Sequence, residues 1–302
     1  MASFDPADAI GGPLGRRSLS GARWRPAPLV YLAGTLSWII LMLRQLPCRG
    51  ELNPPYENLC YTDIVALWYA RGLNEGKVPY LQSELEYPVL TGFIMELGRR
   101  WVALLGGASE PGASSEAMLA ASEMFFGLTA VLMFVFFLGL LAVHLRLGRP
   151  WDAMLIAASP LVMADGLINW DMLVVFLTSA SLLWWAQRRP VGAGVVLGLA
   201  VAAKLYPLLL LVPLFVLCLR IGRLRDFWLT LAGAAASWLA VNLPVAIAAP
   251  DGWMVFWTFN ADRGVDLGSI WYALSLTGFE VKNVSLIVAA IMVIGTALIC
   301  AL

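Results

Sequence analysis

Four short polar motifs interrupt a chain that is otherwise apolar over most of its length: Cys60-Tyr61-Thr62-Asp63, Glu86-Tyr87-Pro88, Asn169-Trp170-Asp171 and Lys204-Leu205-Tyr206-Pro207. Asp63 stands just past the first apolar run. A carboxylate in the first turn of a helix is favoured as the anion by the helix dipole, and the anion is the form that takes a proton from a hydroxyl as a general base. Ile64, Leu67, Trp68 and Leu73 make one apolar side of a helix starting there, so Thr62 or Asp63 can equally serve as its N-cap. Glu86 and Tyr87 pair a carboxylate with a phenol, groups suited to sugar hydroxyls. Tyr87-Pro88 also fits the start of a helix with proline in its first turn. Asp171 and Lys204 are charges set between apolar runs, where they are costly and commonly functional. Lys204 is placed to hold a phosphate or to snorkel to the interface. Arg263, between Asp262 and Asp266, is a second phosphate candidate or part of a solvated turn.

No glycine-rich phosphate loop, Asp-x-Asp motif, Ser–His pair or metal-ligand cluster accompanies these motifs, and His144 is the only histidine. His144 reads as an interfacial residue rather than a ligand. Chemistry resting on a lone base and a cation requires a substrate already activated, and beside a membrane that substrate arrives as a lipid.

The elements that position the motifs are helices in a bilayer. At 60% hydrophobic and 13% charged residues, with a mean hydropathy of +0.78, the chain is expected to be an all-α polytopic integral membrane protein. Twenty basic and twenty acidic residues cancel, which gives no sign of nucleic-acid binding. Apolar runs cover residues 29–46, 117–143, 153–168, 171–186, 190–204, 206–219, 227–249 and 283–302, giving roughly eight spans, several of them short of the 20 or so residues a full crossing needs. Residues 1–28 read as a flexible tail. Arg16, Arg17, Arg23 and Arg25 place it in the cytosol, as a retained signal anchor rather than a cleaved signal peptide.

Basic clusters recur at Arg146 and Arg149, at Arg188 and Arg189, and at Arg220, Arg223 and Arg225. Putting all of them in the cytosol makes 47–116 one large extracytoplasmic loop, with outer turns at Asp165–Asp171, Lys204–Pro207 and Pro250–Ser269. The short runs around Asp171 and Lys204 then form hairpins whose sunken outer ends leave a polar recess. Pro160, Pro207 and Pro213 can break or kink helices there. Within the loop, Phe93, Ile94, Leu97, Trp101, Leu104 and Leu105 share one helical face while Glu96, Arg99 and Arg100 share the other, the pattern of a helix lying in the interface. Cys48 and Cys60 fall in the same loop, where an oxidising compartment would let them pair. Cys218 and Cys300 lie in apolar runs and behave as small hydrophobes.

The four motifs, in this order over about residues 29–275, resemble the polytopic GT-C glycosyltransferases, in particular glycosyltransferase family 87, which includes actinobacterial polyprenol-phosphate-mannose-dependent mannosyltransferases. The resemblance implies a GT-C-type bundle in the plasma membrane with an extracytoplasmic active site and no cofactor. It implies a polyprenyl-phosphate sugar as donor, a lipid or glycan as acceptor, and Asp63 as catalytic base. By the same resemblance Lys204 and Arg263 would meet the donor phosphate, and Glu86, Tyr87, Asn169, Asp171 and Tyr206 would line the pocket. Relatives continue through more helices, whereas this chain stops inside an apolar run at Ile299-Cys300-Ala301-Leu302; residues 29–302 are expected to be the N-terminal portion of a longer module, or a degenerate shorter relative. A transporter or flippase using Asp171 and Lys204, and a non-catalytic envelope scaffold, are the competing readings.

Overall fold

The computed structural model describes residues 26–49, 60–147, 150–265 and 269–301, and every regular element among them is a helix. The expected tail lies outside the described residues except for its last three, which already form the first turn of α1 (Pro26–Gln45). Prolines fit there because first-turn N–H groups have no intrahelical partner. α1 buries Val30, Gly34, Ser37, Trp38, Leu41 and Gln45 along one stripe and turns Leu32, Leu36, Ile39, Ile40 and Leu43 outward. An apolar outer face of this extent fits a segment long and apolar enough to cross a membrane.

The loop after α1 carries α2 (Asp63–Ala70) and α3 (Val89–Leu104). The long α4 (Ser115–Leu147) follows and forms the spine of the core. Trp68 of α2 stacks on Phe125 of α4 at 4.6 Å, and Trp38 of α1 on Phe137 at 5.5 Å. The run 153–168 is broken into α5 (Ala153–Ala157) and α6 (Pro160–Asp165). Pro160 offers no N–H to continue the first helix, and the Ser159 hydroxyl caps the second by accepting from the Leu161 N–H. Then come α7 (Asp171–Ala186), α8 (Pro190–Ala203), α9 (Leu211–Arg220) and α10 (Leu224–Ala248). Where an outer turn was expected over Pro250–Ser269, the chain forms α11 (Pro250–Asp262). Pro250 suits its first turn, and its Trp253 donates an indole N–H to Asn242 of α10 at 3.1 Å. α12 (Ile270–Ser275) and α13 (Val284–Ala301) complete the order.

Three of these segments are long and apolar enough to cross a membrane: Pro26–Cys48, Ser115–Leu147 and Leu224–Ala248. Five apolar segments are shorter: Ala153–Asp165, Asp171–Ala186, Pro190–Ala203, Tyr206–Arg220 and Val284–Cys300. The tightest pairing is α8 with α10. A Cβ on Gly194 would lie 2.1 Å from the Thr230 carbonyl oxygen, and one on Gly198 2.1 Å from that of Ala234. Glycines four apart thus let the two backbones touch, and Ser237 adds a hydrogen bond to the Val195 carbonyl at 2.8 Å.

α3 lies with its apolar face outward: Phe93, Leu97, Trp101, Leu104 and Leu105 are exposed, whereas Thr91, Gly92, Met95, Gly98 and Val102 face the protein. Glu96, on the polar side, is buried and receives Arg99 and Arg100, each at 2.7 Å. His144, near the end of α4, meets the Ser179 hydroxyl of α7 at 3.3 Å.

Candidate functional site

The site begins at the first turn of α2. Thr62, extended at φ −148°, is the N-cap: its hydroxyl accepts from the Ile64 N–H at 3.2 Å and donates to the Leu167 carbonyl at 2.7 Å. The Asp63 N–H donates to the Ile168 carbonyl at 2.7 Å. With the capping role taken by Thr62, the Asp63 carboxylate is left for other partners. Tyr61 donates its hydroxyl to Oδ1 at 2.7 Å, and Tyr87 donates to Oδ2 at 2.5 Å.

Tyr87 joins the motifs. Its ring sits edge-on to the buried Trp170 at 5.8 Å. Burial first, then the charge of Asp63 and its hydrogen bond, then the charges of Asp171 and Glu86, push its phenol above the ordinary tyrosine range. The phenol therefore stays a donor to Asp63 at any working pH. Charges from three separate motifs, Asp63, Glu86 and Asp171, thus act on one side chain.

The turn carrying Tyr87 is held from behind by Tyr80. Tyr80 is left-handed at φ 67°, and its buried hydroxyl donates to the Tyr87 carbonyl at 3.0 Å and the Pro88 carbonyl at 2.8 Å. Its ring lies on Gly92 of α3, where an added Cβ would come within 2.4 Å of ring carbon. Its carbonyl oxygen lies where a Cβ on Gly252 of α11 would approach to 2.0 Å. Arg71, just past α2, pairs with Glu86 at 2.8 Å, and Asn260 of α11 donates its amide to the Glu86 carbonyl at 3.3 Å.

Asp171 opens α7 and receives the Lys204 ammonium at 2.6 Å on Oδ1 and 2.5 Å on Oδ2; both side chains remain more than one-third exposed. Thr91 of α3 donates to the Ala203 carbonyl at 2.8 Å, anchoring the end of α8 that presents Lys204. The Asn169 amide oxygen accepts from the Asp171 N–H at 2.8 Å, so it works in starting α7. Tyr206 begins the short 3₁₀ turn Tyr206–Leu210 two residues past Lys204 and is exposed. Arg263 stands at the C-cap of α11 with its guanidinium over the Phe259 ring at 5.9 Å, one turn beyond Asn260.

Cys48 and Cys60 are bonded to each other, with Cα atoms 5.9 Å apart, and tether the segment leading into Asp63 to the end of α1. Among the described residues no three His, Cys, Asp or Glu side chains converge for a metal ion.

The structure thus brings together Asp63, Glu86, Tyr87, Asp171 and Lys204, and sequence reasoning missed Arg71, Tyr80, Gly92, Gly252 and Asn260 around them. Pro250-Asp251-Gly252 reads as a turn, and nothing in it points to Tyr80. Chemically, the arrangement offers a proton acceptor on Asp63 Oδ1, whose partner Tyr61 is 46% exposed and can be displaced by an incoming hydroxyl. It offers a cation within the same polar end. No family model, curated protein or solved structure matches this chain.

Proposed function

We propose that the protein is a membrane glycosyltransferase that moves a sugar from a polyprenyl-phosphate donor to an acceptor hydroxyl outside the cytoplasm. The observation that carries this reading is the Asp63 carboxylate: it is not used as a cap, is held by two phenols, and shares Tyr87 with the charge of Asp171, the partner of Lys204. In the proposed reaction the acceptor hydroxyl replaces Tyr61 at Oδ1, and Asp63 takes its proton as the oxygen attacks the anomeric carbon. The bond from that carbon to the phosphate oxygen breaks on the opposite face, inverting the centre. Polyprenyl phosphate leaves with the electron pair. Lys204, released from Asp171 towards the phosphate, stabilises the charge that develops there, with Arg263 as a second cation. A mannose-like hexose is the expected sugar, by the resemblance to family 87.

The outer location rests on two supports. The Cys48–Cys60 bond suits an oxidising compartment, and the arginine clusters gather at the other end of the bundle. The plasma membrane is the expected home.

The test is transfer from radiolabelled polyprenyl-phosphate sugars to an envelope lipid extract, comparing wild type with Asp63→Asn. Removing a general base costs about 10²–10⁴-fold, so the variant should lose at least a hundredfold in transfer while still binding donor. Equal rates would sink the assignment of Asp63. The Asp171–Lys204 pair between short helices also suits a transporter; donor binding with no transfer by either protein, and solute flux abolished by Lys204→Ala, would favour that function.

A further inference from the structure

At the end of the bundle opposite Asp63, two helix-to-helix turns lie side by side. α7 runs out in Gln187-Arg188-Arg189 and α9 in Ile221-Gly222-Arg223. Both make the same turn. Arg188 is left-handed at φ 59° and Gly222 at φ 69°. The following N–H groups reach back into the helices, Arg189 to the Trp184 carbonyl at 3.0 Å and Arg223 to that of Cys218 at 2.8 Å. Glycine is the ordinary occupant of such a position, and a residue with a Cβ is strained there. The chain spends glycine at 222 and keeps arginine at 188.

Between the turns is a cleft of about 50 Å³, walled by Trp185, Arg188, Cys218, Ile221, Arg223 and Asp226. Asp226, the one carboxylate there, pairs with Arg223 and so aims its guanidinium. Arg188 and Arg223 are the two guanidinium groups in its wall, and Arg189, Arg220 and Arg225, close by in the chain, are exposed. Ile221 in the wall, and Trp184, Leu219 and Trp228 near it in the chain, are exposed apolar side chains. The floor is stiff, because the Thr230 hydroxyl donates to the Pro190 carbonyl at 3.1 Å and to that of Asp226 at 2.9 Å, beside the close Gly194–Thr230 contact.

We propose that this cleft binds the phosphate of an acidic membrane phospholipid, between Arg188 and Arg223. Two guanidinium groups in one cleft suit a phosphate. The exposed apolar side chains beside it would stay wet if the ligand were a free anion, and are covered if acyl chains accompany it. Basic recesses between membrane helices recognise headgroups in this way, and planar guanidinium groups grip phosphate oxygens in pairs. The assignment does not depend on the glycosyltransferase reading.

Arginines that only orient a membrane protein need only their charge, whereas a bidentate phosphate clamp needs the guanidinium itself. The test is native mass spectrometry of the purified full chain loaded with phosphatidylglycerol or phosphatidylcholine, with glycerol phosphate as a competitor. Both lipids carry the phosphate, but the choline of phosphatidylcholine adds a cation that the arginines repel, so wild type should retain phosphatidylglycerol about tenfold better. Arg188→Lys, which keeps the charge, should lower phosphatidylglycerol retention by about tenfold, the worth of one charge-assisted hydrogen bond, and Arg189→Lys should leave it unchanged. Arg188→Gly guards against misfolding: it relieves the left-handed backbone, so its melting temperature without added lipid should match or exceed wild type while lipid retention falls. Equal retention of the two lipids, an Arg188→Lys protein indistinguishable from wild type, or full displacement by glycerol phosphate would each overturn the proposal.

Discussion

Asp63 and Thr62 show how one hydroxyl decides the meaning of a neighbouring carboxylate. Had Asp63 capped α2, its oxygens would serve the helix; because Thr62 accepts from Ile64, they face Tyr61 and Tyr87 instead. Tyr87 and Tyr80 are both pushed above the ordinary range, chiefly by burial. Each therefore keeps its proton in the folded protein where an unfolded tyrosine would release it near pH 10. The linkage sign follows: above that pH the unfolded chain binds fewer protons than the folded one, so stability falls as pH rises. In a spectrophotometric titration of the folded protein, Tyr80→Phe and Tyr87→Phe should leave the phenolate absorbance at pH 11 unchanged. A drop in either variant would mean that phenol ionises normally. Tyr87→Phe should also slow transfer by roughly tenfold, the worth of one hydrogen bond to a charged group, with donor affinity preserved. Loss of donor affinity at unchanged turnover would make Tyr87 a ligand for the sugar rather than a support for Asp63.

Among the helices, the close pairing of α8 with α10 governs where Lys204 stands, since Lys204 is the residue at which α8 ends. Gly198 meets Ala234 and Ser237 with no room for a side chain, whereas a Cβ on Gly127 of α4 would meet nothing within 4 Å. Gly198→Ala should therefore destabilise by about 1–3 kcal/mol through overpacking, while Gly127→Ala should gain up to about 1 kcal/mol from helix propensity. Thermal unfolding in detergent reads both; similar shifts for the two would mean that α8 and α10 are not in backbone contact. The Gly194–Gly198 spacing was present in the sequence as a small-residue repeat, and apolar periodicity located most of the helices. The four polar motifs were legible because charge amid apolar runs is conspicuous. Tyr80 was not, because a tyrosine bonding carbonyls seven and eight residues away leaves no trace in composition. α11 was hidden for a related reason: its value lies in Gly252 and Asn260 fitting a turn more than 160 residues earlier.

At the scale of the whole molecule, the polar motifs and the arginine turns lie at opposite ends. Asp63, Glu86, Asp171 and Lys204 stand at one, tied by the Asp63–Ile168 and Lys204–Asp171 contacts; the turns carrying Arg188, Arg189, Arg220, Arg223 and Arg225 stand at the other, where Arg188 and Arg223 line one cleft. α7 has 16 residues and α8 has 14, about 24 and 21 Å at 1.5 Å per residue. A hydrocarbon core is about 30 Å thick. In the proposed topology, with the arginines at one surface, these hairpins would end several ångströms short of the other, which would let a lipid phosphate reach Lys204 without leaving the bilayer. That arrangement has a direction, and cysteine labelling measures it. Cys218 is buried, and Cys300→Ser removes the other free thiol, leaving a quiet background. In it, Glu84→Cys reports on the Asp63 end and Gln187→Cys on the arginine end, both at exposed positions. A membrane-impermeant maleimide added to intact cells should label residue 84 and spare residue 187 until the membrane is opened. The reverse pattern would put Asp63 in the cytosol, where a Cys48–Cys60 bond would not persist, and would remove the case for an extracytoplasmic lipid-linked donor.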